Sequence, residues 1–326
     1  MRKLLFCWVI FISYGLNAAP SPKLIFAINE SIVKVHSANK EGNHGVGSGV
    51  VVKKDYVVTN CHVIANSQGI HVTKFGNSYA PDALIADWKN DICILKFKYL
   101  GLTPAKLATN NSLQYETQVF VKSYGGNTVK PHTTFGRIKG IYKLNQYKVI
   151  KSSAWFAIGA SGGGLFNYKG ELIGITTFKP PWNSEYYSMP TEIIKKLLNN
   201  GEKISVTTQP EPPFWDAPEI NQPFFMQVAG PLKNKSWGNL KNITTKWIKK
   251  NPNEIEALYH HGFVLYQLKE FNSAQNILKK VITKNKKHAL AYFYLYKIAI
   301  KENKHKDISY YKSIILELDN SLIGDN

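Results

Sequence analysis

Short runs of β-branched residues, separated by glycine, asparagine and aspartate clusters, constrain the fold of this chain most strongly. They recur from about residue 25 to about residue 177 and include Ile32-Val-Lys-Val35, Val50-Val-Val52, Tyr56-Val-Val58 and Gln118-Val-Phe-Val121. Runs this short and this closely spaced are typical of an all-β barrel or sandwich. A short helix, Met189 to Asn199, is predicted to close the region, since Pro190-Thr-Glu192 marks a start and Asn199-Asn-Gly201 an end.

After about residue 233 the hydrophobic period changes from two residues to about three and a half, which predicts helices. An offset of 34 residues aligns Trp237 with Phe271 and Trp247 with Val281, and this is the tetratricopeptide period. Residues 255–288 resemble one full repeat, with a helix before it (about 235–250) and a degenerate helix pair after it (about 289–318). A plain helical bundle remains the alternative, because a stable stack normally needs at least three units.

Residues 202–232 join these two regions. The segment contains six prolines, which cannot continue a helix or a central strand, so it is either a stiff linker or an extended segment lying on a surface. Its aromatic residues Phe214, Trp215, Phe224 and Phe225 favour the second interpretation, because a fully solvated linker would not carry four large aromatic side chains.

The first 19 residues have a basic start, an apolar stretch and small residues at the end, which is typical of a secretory signal peptide. An uncleaved membrane anchor is the alternative. Lysine and arginine exceed aspartate and glutamate by 41 − 22 = 19, and this favours weak association with anionic envelope surfaces. We expect no nucleic-acid partner, because no binding motif accompanies the charge.

A serine lies in a glycine-rich turn between two apolar runs, in the stretch from Ala157 to Leu165. Glycines permit positive φ and a close approach of a substrate carbonyl, so Ser161 is a candidate nucleophile. A serine hydroxyl needs a base, and the base needs a group that holds its tautomer. His62, at the end of an apolar run, and Asp91, just before another, are the candidates for these two roles.

These segments resemble the trypsin-like, chymotrypsin-fold serine proteases, and most of all the bacterial high-temperature-requirement branch. The resemblance rests on motifs in the family's order: Gly47-Ser-Gly49, Thr59-Asn-Cys-His62-Val63, Asp91-Ile-Cys-Ile-Leu95 and Gly159-Ala-Ser161-Gly-Gly163. It implies two six-stranded barrels in a protease domain at residues 22–201, a catalytic triad of His62, Asp91 and Ser161, and an oxyanion hole from the backbone amides of Gly159 and Ser161. The predicted architecture is therefore a multidomain chain: signal peptide 1–19, β protease domain 22–201, linker 202–232 and helical-repeat domain 233–320.

The same resemblance places the first substrate pocket at Trp155, Phe156, Ile158, Thr176, Thr177 and Phe178. None of these residues is acidic, so a preference for lysine or arginine is not expected, and bulky aromatic side chains would narrow the pocket toward small apolar residues. Each of them is also consistent with a position in the barrel core.

Cys61 and Cys93 flank the predicted base and its partner. We expect two buried thiols there, with a disulfide as the alternative. No metal site or cofactor is predicted, because the cysteines and histidines lack ligand spacing.

Two functions follow from these observations. The first is an exported, periplasmic or secreted serine endopeptidase that hydrolyses polypeptides and binds substrate or a protein partner through its helical tail. The second is a catalytically silent protease-fold scaffold that acts as a binding module.

Overall fold

The computed structural model describes residues 19–109, 113–180, 185–206 and 211–323. The predicted signal peptide lies outside these ranges except for Ala19. Within them, no helix is both long enough and apolar enough to cross a membrane.

The first region of the chain is a seven-stranded antiparallel sheet with the strand order β5-β4-β1-β2-β3-β7-β6. Its strands are β1 (Ile32–Ala38), β2 (His44–Lys53), β3 (Tyr56–Thr59), β4 (Gly69–Lys74), β5 (Asn77–Tyr79), β6 (Ala83–Asp87) and β7 (Ile92–Lys96). Valines, isoleucines and leucines of this sheet form one buried cluster, with Val35, Val57 and Leu95 fully inaccessible to solvent. Burial of such side chains is the main stabilising term, worth about 1.5–3 kcal/mol for each.

The second region is a closed barrel with the order β10-β13-β12-β11-β8-β9. Its strands are β8 (Gln118–Ser123), β9 (His132–Leu144), β10 (Tyr147–Ser152), β11 (Gly164–Asn167), β12 (Leu172–Phe178) and β13 (Tyr186–Pro190). Val121, Ile150 and Leu165 fill its interior. The predicted β fold is confirmed, but only this second half is a six-stranded barrel. The first half is a seven-stranded sheet, because its three-residue edge strand β5 pairs with β4 alone and not with β6 in the described chain.

Helices flank the sheets and then form the rest of the chain, so the predicted all-α region is also confirmed. They are α1 (Pro22–Ile28), α2 (Cys61–Ile64), α3 (Thr191–Asn200), α4 (Phe224–Gln227), α5 (Ala229–Lys233), α6 (Trp237–Lys250), α7 (Ile255–Gln267), α8 (Phe271–Lys284), α9 (Ala289–Lys301) and α10 (His305–Leu318). Helix α3 begins two residues later than predicted, because Pro190 has extended backbone and belongs with Met189 to strand β13.

The helical region packs directly on the second barrel. Tyr142 of β9 is fully buried at this junction, where its ring lies 4.9 Å from that of Phe225 and 6.4 Å from that of Trp247. One hydrophobic cluster therefore runs without a break from the barrel through residues 214–229 into α6 and α7. Large aromatic side chains dominate such contacts because each buries 150–250 Å².

Candidate active site

His62 and Asp91 form a hydrogen-bonded pair on the first sheet. The chain leaves β3 at Thr59 and turns into α2, which carries His62, and Asp91 lies in a tight turn just before β7. The His62 ring nitrogen Nδ1 is 2.6 Å from Asp91 Oδ2, and the His62 backbone N–H donates to Asp91 Oδ1 at 2.9 Å. Because a carboxylate only accepts, Nδ1 carries the proton and Nε2 is left as the basic nitrogen.

The Asp91 turn is held in place by Asn60, which immediately precedes α2. The Asn60 amide donates to the Asp91 carbonyl at 2.7 Å and to Thr177 Oγ1 of the second barrel at 3.1 Å. Asp91 itself has positive φ, 56°, and its side chain is completely buried. Asn60 thus fixes a strained turn and ties it to the other half of the site.

Cys61 and Cys93 are joined by a disulfide, so the expectation of two free buried thiols was wrong. Thr59 of β3 lies opposite Cys93 of β7 in the antiparallel ladder, and the turn into α2 carries Cys61 back over its neighbour strand. Their Cα atoms are therefore only 4.9 Å apart, which is within bonding range. The disulfide links the element that carries His62 to the strand that follows Asp91.

Ser161 lies in the glycine turn before β11, between the sheet and the barrel. Its backbone carbonyl accepts from the Ser48 N–H at 2.8 Å, which couples the turn to β2. Gly162 has φ of 87°, and a Cβ there would come within 2.0 Å of the Ser48 carbonyl oxygen, so only glycine fits. The Ser161 hydroxyl donates to the Thr177 carbonyl at 3.3 Å, and no hydrogen bond to His62 is present among the described residues.

The backbone amides of Gly159 and Ser161 donate no hydrogen bond within the ranges given above. The carbonyls beside them are already occupied: Ile158 O accepts from Gly126 N–H at 2.8 Å, and Gly159 O accepts from the Ser48 hydroxyl at 2.9 Å. The Ser48 hydroxyl oxygen in turn accepts from Tyr124 N–H at 2.8 Å. The Ala160 carbonyl, in the same peptide unit as the Ser161 amide, accepts from Gly163 N–H at 2.9 Å, so both amides are held in place without an acceptor among the described residues.

A cavity of about 790 Å³ opens beside His62 and Ser161. Four of the six predicted pocket residues line it, namely Phe156, Ile158, Thr177 and Phe178. The other two do not: Trp155 is half exposed with its ring against His132, and the buried Thr176 donates to the Ala160 carbonyl at 2.6 Å. Lys179 is the only lysine, arginine or acidic residue among the described lining residues.

Part of the remaining lining comes from a segment that the sequence did not connect with the site. Trp215, Gln222, Phe225, Met226 and Ala229 all line the cavity. The aromatic content of residues 202–232 predicted a surface contact but gave no indication of where that contact is. Ser48 and Asn60 were likewise recognised only as members of sequence motifs, because their structural roles depend on contacts between the first sheet and the second barrel. No cluster of metal-ligating side chains occurs in the part of the chain that the structure describes.

Comparison with known proteins agrees with this geometry. Residues 47–175 match the trypsin-like peptidase domain family. A probable periplasmic serine endoprotease, DegP-like, from Buchnera aphidicola is 34% identical over 142 residues, which are 41% of this chain and 30% of that protein. The serine protease HTRA1 of Xenopus tropicalis is 30% identical over 174 residues, covering 50% of this chain and 37% of that protein. The chain thus spans about a third of the length of these relatives.

The fold of the peptidase domain is also that of a solved structure. The active form of the Rv3671c protease from M. tuberculosis superimposes with a TM-score of 0.51 and 23% identity, covering 60% of this chain and 91% of that chain. At this identity the likeness concerns the fold alone. Trp215 and all of α6–α10 lie outside the matched peptidase domain.

Proposed function

We propose that this protein is a serine endopeptidase with His62, Asp91 and Ser161 as its catalytic triad. The observation that carries the proposal is the 2.6 Å contact between His62 Nδ1 and Asp91 Oδ2, placed on the cavity that Ser161 also lines. The basic nitrogen of His62 is thereby left for the serine hydroxyl.

In the proposed mechanism, a peptide carbonyl enters the cavity and the Ser161 hydroxyl rotates from the Thr177 carbonyl to His62 Nε2. Ser161 Oγ attacks the carbonyl carbon while His62 takes its proton, and the ionised Asp91 offsets the charge of the imidazolium. The amides of Gly159 and Ser161 bind the oxyanion, each worth about 3 kcal/mol. His62 then gives the proton to the leaving amine, and water releases the acyl group by the reverse sequence.

The cavity lining supports apolar side chains as the preferred residue on the acyl side of the cleaved bond. Phe156, Ile158, Phe178 and Met226 supply apolar surface, and the described lining contains no carboxylate that would select lysine or arginine.

Export to the periplasm or outside the cell is part of the proposal. The signal-like first 19 residues and the disulfide both support it, because disulfides persist in oxidising compartments. One relative, from Salmonella typhimurium, is named a periplasmic serine endoprotease. Misfolded envelope proteins or an extracellular protein are the substrates that fit such a compartment, and the net charge of +19 favours weak contact with anionic surfaces there.

We further propose that the helical tail is a tetratricopeptide-like repeat that binds substrate or a protein partner. Helices α6, α8 and α10 begin at residues 237, 271 and 305, and α7 and α9 at 255 and 289, so equivalent helices start 34 residues apart. The turn residues Lys235, Lys269 and Asn303 have positive φ at the same spacing. Because one side of the stack packs on the second barrel, a partner would use the outer side, where Tyr310 and Leu316 of α10 are half exposed.

The alternative is a catalytically silent scaffold. One observation favours it, because the Ser161 hydroxyl donates its hydrogen bond to the Thr177 carbonyl and not to His62. Digestion of a mixed peptide library by residues 20–326, with cleavage sites read by mass spectrometry, separates the two. If the protein is an endopeptidase, the wild type should cleave after apolar residues, and this cleavage should be absent in Ser161→Ala. Equal products, or none, from the wild type and the variant would support the scaffold.

A further inference from the structure

Trp215 occupies a position next to the proposed acid–base pair, although it lies 124 residues beyond Asp91. It sits in a short 3-10 helix, Phe214–Asp216, and its indole Nε1–H donates to Asp91 Oδ2 at 2.9 Å. The Phe214 backbone N–H donates to the Lys89 carbonyl at 3.0 Å, in the loop that leads to Asp91. We infer that Trp215 is a positioning residue for the His62–Asp91 pair, supplied to the site by the segment that precedes the helical region. This inference rests on the proposed function.

The Asp91 carboxylate accepts three hydrogen bonds from the described residues. His62 supplies two of them, its backbone N–H to Oδ1 and its ring N–H to Oδ2, and Trp215 supplies the third. An ionised carboxylate with no exposed surface is stable only when such donors replace water. The indole is a donor and never an acceptor, so it favours the ionised carboxylate and fixes the direction in which Oδ2 faces.

The Trp215 ring also restricts the imidazole. The two ring centroids are 5.3 Å apart and the planes are nearly perpendicular, at 88°. Trp215 and His62 both line the cavity, whereas the Asp91 side chain that accepts from both of them is completely inaccessible to solvent. A hydrogen bond to a charged group gains strength where water is excluded.

The segment around Trp215 is held on both sides. The Gln222 side-chain amide donates to the carbonyls of Trp215 and Ala217, at 3.1 and 2.9 Å. Phe214 packs against Phe178 of the barrel, with ring centroids 5.7 Å apart. Further along, Phe224 stacks on Trp247 of α6 at 5.9 Å. The position of the indole thus depends on both the barrel and the helical region.

The test is Trp215→Phe, which removes the N–H but keeps an aromatic ring, with Trp237→Phe as the matched control. Trp237 is half-buried at the start of α6, packs on Phe263 of α7 with ring centroids 5.8 Å apart, and is not among the described lining residues of the cavity. Loss of one hydrogen bond to a charged group predicts a fall in kcat of about 10- to 100-fold in Trp215→Phe, with KM within about twofold of the wild type. The control should keep both constants. An unchanged kcat in Trp215→Phe would overturn the inference.

A second readout does not depend on turnover. The proton between His62 Nδ1 and Asp91 Oδ2 should give a downfield NMR resonance, which moves further downfield in Trp215→Phe because Oδ2 has lost its other donor. It should not move in Trp237→Phe. A lower melting temperature with an unmoved resonance would show that Trp215 is merely structural and would overturn the inference.

Two further outcomes can be distinguished from failure of the inference itself. If the wild type cleaves no peptide, the proposed function fails, while the resonance in the two variants still decides whether Trp215 positions the pair. If Trp215→Phe does not fold, 3-benzothienylalanine at position 215, which carries sulfur in place of the N–H at nearly the same volume, replaces it in both measurements. The same loss of kcat and the same downfield shift are then expected, and their absence contradicts the inference.

Discussion

The two halves of the candidate site are held by different means. The His62–Asp91 half is cross-linked by a disulfide and surrounded by donors from Asn60 and Trp215. The Ser161 half is a glycine turn held by backbone hydrogen bonds and by the hydroxyls of Ser48 and Thr176. The Ser161 hydroxyl donates to the Thr177 carbonyl at 3.3 Å.

This difference indicates that the acid–base pair is preassembled and that the nucleophile completes the triad last. A buried carboxylate cannot be left to find its partners during turnover, because an unpaired buried charge costs several kcal/mol. Rotation of a serine hydroxyl costs little by comparison. The glycine turn that carries Ser161 therefore needs fewer fixed contacts than the His62–Asp91 pair.

The largest effect is expected for Ser161→Ala. Removal of a triad nucleophile lowers kcat by on the order of a million-fold in other serine hydrolases. If the two halves are independent, the downfield proton of the His62–Asp91 pair keeps its position in this variant. A shifted or absent resonance in folded Ser161→Ala would break the comparison, because the pair would then depend on the nucleophile.

The next effect tests the cross-link of the acid–base half. Replacing both Cys61 and Cys93 by alanine opens a loop with a sequence separation of 32 residues and should lower the free energy of unfolding by about 3 kcal/mol. Chemical denaturation of the oxidised wild type, the reduced wild type and the double variant measures this. A difference below about 1 kcal/mol would show that the disulfide does not hold this half together.

A third effect concerns how the junction between the helical region and the second barrel contributes to the stability of the fold. His260 of α7 is buried at the junction with β9, where both ring nitrogens lack a hydrogen bond in the described structure. Burial lowers its pKa from 6.5 to about 4. Glu256, 3.9 Å away, and Glu185 favour its charged form, whereas Lys151 and His288 oppose it.

Because this pKa is lower in the folded protein, the unfolded chain binds the extra proton first as the pH falls. Stability contributed by neutral His260 is thus complete above about pH 6.5 and is lost toward pH 4, by up to about 3 kcal/mol. Urea unfolding at a series of pH values should show this slope, flattened in His260→Gln but not in His305→Gln, whose histidine is exposed. Equal slopes in the two variants would contradict the assignment to His260.

The smallest effect sharpens the description of the nucleophile half. Ser48→Ala leaves the Gly159 carbonyl and the Tyr124 amide without their shared partner, at a cost of about 1–2 kcal/mol. Reaction of Ser161 with a phosphonylating probe should slow about tenfold. Ser152→Ala is the control, because that hydroxyl is buried without a partner, and it should react at the wild-type rate. If Ser48→Ala reacted with the probe as fast as Ser152→Ala, Ser48 would not support the turn that carries Ser161.

Local patterns in the sequence predicted much of this molecule. The β-branched runs predicted the strands, and the motifs around His62 and Ser161 predicted two of the residues that line the cavity. The disulfide was missed, because its formation depends on how the turn at Asn60 places Cys61 over β7. Trp215 was recognised as a residue that docks, but its partner is set by the packing of the barrel against the helices, which no local pattern encodes.

The central claim is that Ser161 becomes a nucleophile through the preassembled His62–Asp91 pair. The most direct measurement is labelling of residues 20–326 with a fluorophosphonate, followed by mapping of the modified peptide, with His62→Ala and Ser161→Ala alongside. The account predicts modification at Ser161 in the wild type and none in either variant. A wild-type protein that is folded by circular dichroism yet remains unlabelled would contradict it.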